Sequence, residues 1–203
     1  HLTAPSWFVE GIAQYESDAH GGDFWDSHRA MLLRMAVLED DLLSYTNMGV
    51  FGKDGHHSEM VYNQGYALLN YVTEKYGSEK VRQLVETRPV VNFKSSISSV
   101  LGIPAGRLFE EWTTALRAKY TAQADSIRQA DPRGEHEGDL VCDEGSLEYY
   151  PVWSPDGTRM AFLSNGDNDY ALTRLMVMDL DTRTVRKIAQ YVDRRFCWSP
   201  DGE

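Results

Sequence analysis

Glu10 stands in the run Trp7-Phe8-Val9-Glu10-Gly11-Ile12-Ala13-Gln14-Tyr15-Glu16, an acid near the start of a segment whose other residues are mostly apolar or small. A carboxylate in that setting has two uses. In the first turn of a helix that follows Pro5 it can partner the helix dipole. It can also serve a metal, because a catalytic zinc takes three protein ligands, of which a His-His-Glu set is a standard version, and keeps a fourth position open for water. His1 lies too close to Glu10 and has no histidine at i+4, so it does not count as a second ligand. No HExxH occurs in the chain. The other residues with chemistry to offer are Tyr62, 52 residues beyond Glu10, and the preceding stretch Gly52-Lys53-Asp54-Gly55-His56-His57-Ser58-Glu59. His56 and His57 could line a cleft, yet adjacent residues do not both face one ion easily. A loop there, with Ser58 as N-cap of the next helix and Glu59 either aimed at the cleft or serving the helix dipole, is the simpler reading.

The order of these pieces carries a resemblance. The segment Trp7 to Glu16 resembles the third-ligand helix of the gluzincin metallopeptidases, which has the form WxxEGxAxY. Gly21-Gly22-Asp23-Phe24-Trp25-Asp26, Val50-Phe51-Gly52, Tyr62-Asn63-Gln64-Gly65-Tyr66-Ala67-Leu68 and Tyr76-Gly77 follow in an order similar to the peptidase-MA-like domains that bacteria fuse to TolB-like propellers. The likeness covers residues 1 to about 125. It implies that Glu10 is a zinc ligand and that a HExxH helix, carrying two imidazoles and a general-base glutamate, lies upstream, so the chain is expected to be truncated at its front. It also implies that Tyr62 donates a hydrogen bond to the tetrahedral oxyanion. Against that role, Tyr62, Tyr66, Leu69 and Tyr76 form an apolar stripe, which is also what a core tyrosine with a wet hydroxyl looks like. Gly11 and Ala13 are read as small residues that let the Glu10 helix pack closely on that upstream helix, leaving an exposed apolar surface.

The far end carries a separate signal. Tyr150-Pro151-Val152-Trp153-Ser154-Pro155-Asp156-Gly157 is echoed by Phe196-Cys197-Trp198-Ser199-Pro200-Asp201-Gly202, and the two tryptophans are 45 residues apart. Ser-Pro-Asp-Gly is a turn with a mechanism, in which Pro presets one position, Asp accepts local backbone hydrogen bonds and Gly takes positive φ. Strands are expected at Thr158 to Leu163 and Leu175 to Leu180, with a turn at Asp181 to Thr184. A period near 45 reads as propeller blades, and the motif resembles the TolB-type blade. The chain stops inside the second unit.

Between the two signals, helix-period apolar residues mark Pro5 to Glu16, Trp25 to Leu38, Met60 to Tyr76, Ser78 to Glu86, a piece near Ser95 to Leu101, and Ala105 to about Gln129. Met31, Leu32, Met35 and Leu38 are expected in the core. Residues 131–139 hold no large apolar side chain and the helix breakers Pro132, Gly134 and Gly138, which marks a linker. The expected architecture is therefore multidomain α and β: a mainly α-helical C-terminal half of a metallopeptidase domain over 1–130, the linker, and propeller blades over 140–203.

Twenty basic against 31 acidic residues give a net charge of −11 with no basic run, which argues against nucleic acid or an anionic membrane as partner. No segment reaches the length of a membrane span. Cys142 and Cys197 lack metal spacing; free thiols on blade strands and a disulfide are both open. A serine hydrolase is excluded for these residues by the lack of G-x-S-x-G and of alternating strands. The resemblance implies zinc-dependent peptide-bond hydrolysis by the intact parent, acting on a peptide or protein substrate. The propeller would be a substrate- or partner-binding module, and the location periplasmic or cell-surface. The 203 residues alone, with one carboxylate and no general base, are expected to be inactive. The alternative is a non-catalytic, degenerate peptidase fold whose propeller serves as a protein-interaction scaffold.

Overall fold

The computed structural model describes residues 4–22, 25, 27–52, 54–87, 92–134, 138–142, 145, 147–166, 172–192 and 195–202. They fall into two compact units, a helical one built from 1–53 and 57–134 and a smaller one that contains 135–203. The first holds helices α1 (Ser6–Ala19), α2 (Ser27–Leu38), α3 (Gly55–Tyr76), α4 (Ser78–Glu86), α5 (Phe93–Leu101) and α6 (Ala105–Ala130), with a 3-10 turn at Asn47–Gly49. The second holds strands β1 (Glu148–Trp153), β2 (Arg159–Ser164), β3 (Arg174–Asp179) and β4 (Val185–Gln190). The class is mixed α and β.

α1 begins where Pro5 leaves extended backbone, and it buries Trp7, Phe8 and Gly11. Trp7 meets Phe8, Tyr45 and Phe93 edge to face at centroid distances of 5.6, 6.1 and 5.8 Å. Around this cluster pack Val61, Leu68, Leu69 and Val72 of α3, Ile97 of α5, and Leu108 and Trp112 of α6. Gly11 is where α1 touches α3: a Cβ on Gly11 would sit 2.6 Å from the carbonyl carbon of Gly65. The small residue at 11 thus serves close packing of α1 on α3, and Ala13 is exposed.

Two further expectations are corrected. On α2 the buried residues are Leu33, Ala36 and Val37, whereas Met31, Met35 and Leu38 are 39–42% exposed and Leu32 is half-buried. Leu33 and Val37 meet Tyr120 of α6, so α2 turns the other edge of its apolar arc inward. α3 begins at Gly55, so His56 to Glu59 are helical, Ser58 is not its cap, and Tyr62 lies two turns inside the helix. Asp54, of a type favoured at N-caps, immediately precedes it.

In the second unit the four strands form an antiparallel meander in the order β1-β2-β3-β4. Ala161, Phe162, Leu163, Val177 and Met178 of the two central strands are buried, and the outer strands carry exposed Trp153 and Ile188. β1 slips register between Tyr149 and Val152, where Tyr150 takes φ 54° beside Pro151, as a bulge on an edge strand allows. In the Ser-Pro-Asp-Gly turn Asp156 Oδ1 accepts from Ser154 Oγ, Thr158 N and Thr158 Oγ1 at 2.6, 3.1 and 2.9 Å, and Gly157 takes φ 71°. Asp201 likewise accepts from Ser199 Oγ, and Gly202 takes φ 81°. Trp198 is outside the sheet; its Nε1 donates to the Val152 carbonyl at 3.0 Å, and the Arg159 guanidinium lies 5.0 Å over its ring. Cys142 and Cys197 are free thiols, and neither lies on a strand.

Candidate functional site

The α1–α3 contact decides which α1 residues can face α3's N-terminal half. Glu10, Ala13, Gln14 and Ser17 recur at helical spacing and so share one side of α1. Together with Arg29 of α2 and Glu59 and Tyr62 of α3 they line an open concavity of about 360 Å³. Glu59 and Tyr62, three apart, share a face of α3 for the same geometric reason. Glu10 and Tyr62, 52 residues apart in sequence, are thus neighbours, both half-buried.

The electrostatics follow from that neighbourhood. Burial pushes the Tyr62 phenol above its ordinary value, and the Glu10 carboxylate adds to the rise both as a charge and as the acceptor of the phenol's hydrogen bond; Glu59 contributes a further repulsion. Tyr62 is therefore protonated at neutral pH and available as a donor. The Phe51 ring, 5.6 Å away, flanks it. Gln14 Oε1 is buried and finds no hydrogen-bond donor among the described residues.

Below the concavity α1 and α3 are tied again. Tyr66 donates to Asp18 Oδ2 at 2.7 Å, Trp25 N donates to Asp18 Oδ1 at 3.4 Å, and the Trp25 ring stacks on Tyr66 at 4.8 Å and 13°. Thr73 Oγ1 donates to the Tyr15 hydroxyl at 3.1 Å. The fully buried Gln64 amide accepts from Leu43 N at 2.8 Å and donates to Leu43 O at 3.1 Å, which fixes the segment between α2 and the 3-10 turn.

Of the residues singled out from the sequence, Glu10, Tyr62 and Glu59 come together. His56 and His57 are not among the lining residues: His57 Nε2 stands 3.3 Å from the Asn47 carbonyl, and its ring fills the space beside Gly52. Gln14, Ser17, Arg29 and the Asp18–Tyr66 pair were not singled out. The Glu10, Ala13, Gln14, Ser17 spacing is the signal that points to the first two; nothing in the sequence pairs residues 18 and 66. Among the described residues no three His, Cys, Asp or Glu side chains stand together as a metal-binding group.

The family described as the Peptidase MA superfamily matches residues 2–118, more than half of the chain and all the elements that build this concavity. The chain belongs to the Peptidase MA superfamily. No curated protein and no solved structure matches it. Membership in the Peptidase MA superfamily gives the helical unit a peptidase-like fold.

Proposed function

We propose that the helical unit is part of a gluzincin-type zinc metallopeptidase, in which Glu10 is a metal ligand and Tyr62 a donor to the oxyanion formed when water attacks a peptide carbonyl. The observation that carries this reading is the pairing of the half-buried Glu10 carboxylate with a protonated phenol across one concavity. A metal in such a site supplies Lewis acidity and a water of lowered pKa. The chemistry of the donor set fits: a carboxylate on a rigid helix is one ligand of a His-His-Glu set, and in this reading the two imidazoles and the general base belong to an HExxH helix outside these residues. Tyr62, held by α3 within reach of Glu10, is positioned to donate to negative charge developing at the substrate oxygen. A single donor of that kind is worth on the order of 3–4 kcal/mol. The substrate class is a peptide or protein, and the charge of −11 does not suit nucleic acid.

The four-stranded meander reads as one blade of a TolB-like propeller and the Trp198 segment as the start of the next. The matched Ser154-Asp156-Gly157 and Ser199-Asp201-Gly202 turns support this. In that role the sheet unit binds substrate or a protein partner, and the location is periplasmic or at the cell surface, as for the fused proteins it resembles.

The test is zinc stoichiometry by calorimetry and metal analysis. The 203-residue chain should hold zinc no better than an exposed carboxylate, whereas the protein extended upstream through an HExxH segment should bind about one zinc and lose it on Glu10→Ala. Stoichiometric zinc in the 203-residue chain, or full retention by the Glu10→Ala protein, overturns the assignment. An upstream segment without HExxH favours the non-catalytic scaffold.

A further inference from the structure

The Glu10–Tyr62 concavity holds a charge to which metal binding and oxyanion donation give no role. Glu59, half-buried on α3, lines it on the same side of the helix as Tyr62. A helix N-terminus would account for such an acid, but Glu59 stands beyond the first turn of α3, and the dipole's influence fades within that turn. Nor does a partner account for it. Among the described residues Glu59 forms no salt bridge and no hydrogen bond. Other half-buried carboxylates of the helical unit are held: Asp18 by Tyr66 and the Trp25 amide, Glu111 by Lys75, Tyr76 and Arg107. Arg29, the cation among the described lining residues, is engaged elsewhere.

An unpaired carboxylate costs little while water reaches it and much once a substrate covers it. Under a neutral side chain Glu59 becomes a lone charge in a drying site, whereas under a cation it is matched. The surroundings also favour a long side chain. Residues three apart on a helix stand about 5–6 Å apart at Cβ, a span from Tyr62 to Glu59 that a lysine or arginine side chain covers and an alanine or valine does not. On another side of Tyr62 the Phe51 ring, 44% exposed and 5.6 Å away, offers a wall for an aliphatic stem, and Val50 before it is 62% exposed. We propose, building on the peptidase reading of the same concavity, that Glu59 is a specificity-determining residue that receives the ammonium or guanidinium of a lysine or arginine flanking the cleaved bond, so that the substrate class is a basic peptide. The net charge of −11 draws such a peptide toward the chain.

Two measurements test this, the first without metal. With the ¹⁵N-labelled 203-residue chain, Nα-acetyl-lysine amide should shift the Glu59 and Tyr62 backbone cross-peaks saturably and bind roughly two- to fivefold more tightly than Nα-acetyl-norleucine amide, which keeps the stem and lacks the charge. Glu59→Gln should erase that difference, and Glu59→Lys should turn the preference toward Nα-acetyl-glutamate amide, whereas Glu10→Gln should leave lysine preferred. In the protein extended through HExxH, the ratio of kcat/KM for peptides with lysine over norleucine beside the cleaved bond should fall toward one in Glu59→Gln. Equal binding of the lysine and norleucine probes, a lysine preference that survives Glu59→Gln, or one lost in Glu10→Gln alone overturns the proposal. An extended protein that holds zinc and hydrolyses none of these peptides overturns the peptidase reading instead, and the probe titration still decides Glu59.

Discussion

Gly11→Ala asks whether the close approach of α1 to α3 positions the Glu10–Tyr62 concavity. Two effects oppose each other. Alanine in place of helical glycine stabilises a helix by roughly 0.5–1 kcal/mol through lower backbone entropy in the unfolded chain. Here, however, the new methyl would lie 2.6 Å from the Gly65 carbonyl carbon and 2.8 Å from its oxygen, backbone atoms that cannot rotate away. Restoring ordinary contact at about 3.5 Å demands that the helices part by close to 1 Å. Overpacking of that kind costs about 1–3 kcal/mol, so the clash outweighs propensity and the net effect is a loss of about 1–2 kcal/mol. Scanning calorimetry of the whole chain should show the helical transition fall by roughly 3–8 °C. Gly106→Ala in α6, where nothing lies within 4 Å of the added carbon, should leave the transition in place or raise it. A rise in Gly11→Ala, or equal behaviour of the two variants, would refute the claim that backbone contact sets the α1–α3 distance.

In the protein extended through HExxH, Tyr62→Phe keeps the ring and removes the hydroxyl; peptide turnover should drop by roughly 10²–10³ with a melting temperature within a degree or two, and unchanged turnover would return Tyr62 to packing alone. Gln64→Leu strands both backbone polar groups of Leu43 and should cost about 2–4 kcal/mol, read as urea unfolding together with faster hydrogen exchange at the Leu43 amide; protection as in the parent would show that the amide is not what pins that segment. Tyr66→Phe leaves Asp18 without its 2.7 Å donor and should lower stability by about 1–2 kcal/mol, with the Trp25 fluorescence red-shifted as its stack loosens; an unshifted spectrum would separate the stack from the hydrogen bond. In the sheet unit, the Ser154 hydroxyl, and then the Thr158 N–H and hydroxyl, hold the Asp156 carboxyl down at about 2 from an ordinary 3.8. A depressed folded-state value stabilises above the unfolded value and is lost as pH falls through the folded one, so wild type should lose stability between about pH 4 and 2 while Asp156→Asn, weaker at pH 6, should converge on it near pH 2. Parallel curves across that window would remove the linkage.

Much of this was legible because it is local. The Ser-Pro-Asp-Gly turn depends on four consecutive residues, and its hydrogen bonds are those the sequence dictates. Helix positions followed from apolar spacing, within a few residues at each end. The sequence places the start of α3 five residues late because His56, His57 and Ser58 look like loop chemistry, while the packing of His57 against Asn47 and Gly52 is tertiary. The α2 error is of the same origin. Met31, Met35 and Leu38 and the buried Leu33 and Val37 lie on adjoining arcs of one apolar helix, and which arc turns inward depends on where α6 sets Tyr120. Periodicity locates a helix and leaves its rotation to tertiary contacts. At the site, Glu10 and Tyr62 each stood out from sequence, but their pairing rests on Gly11 and Gly65.

That dependence has a consequence for how the concavity can respond to a ligand. α1 is held to α3 by three different kinds of contact along its length: bare backbone at Gly11, the part-buried bond from the Tyr66 hydroxyl to the Asp18 carboxylate, and the Thr73–Tyr15 hydroxyl pair. None of the three uses a residue that lines the concavity, whose polar side chains stay free to change partners without loosening the helices. Glu10 is one such side chain. Its carboxylate shares the concavity with the Tyr62 phenol and helps hold that phenol protonated, and a cation that took the carboxylate would leave the phenol free to turn toward substrate while the backbone frame stayed still. A frame fixed by remote contacts and a face left free to exchange partners is what pre-organised binding requires, since the ordering cost of the helices is met on folding and not again at each binding event.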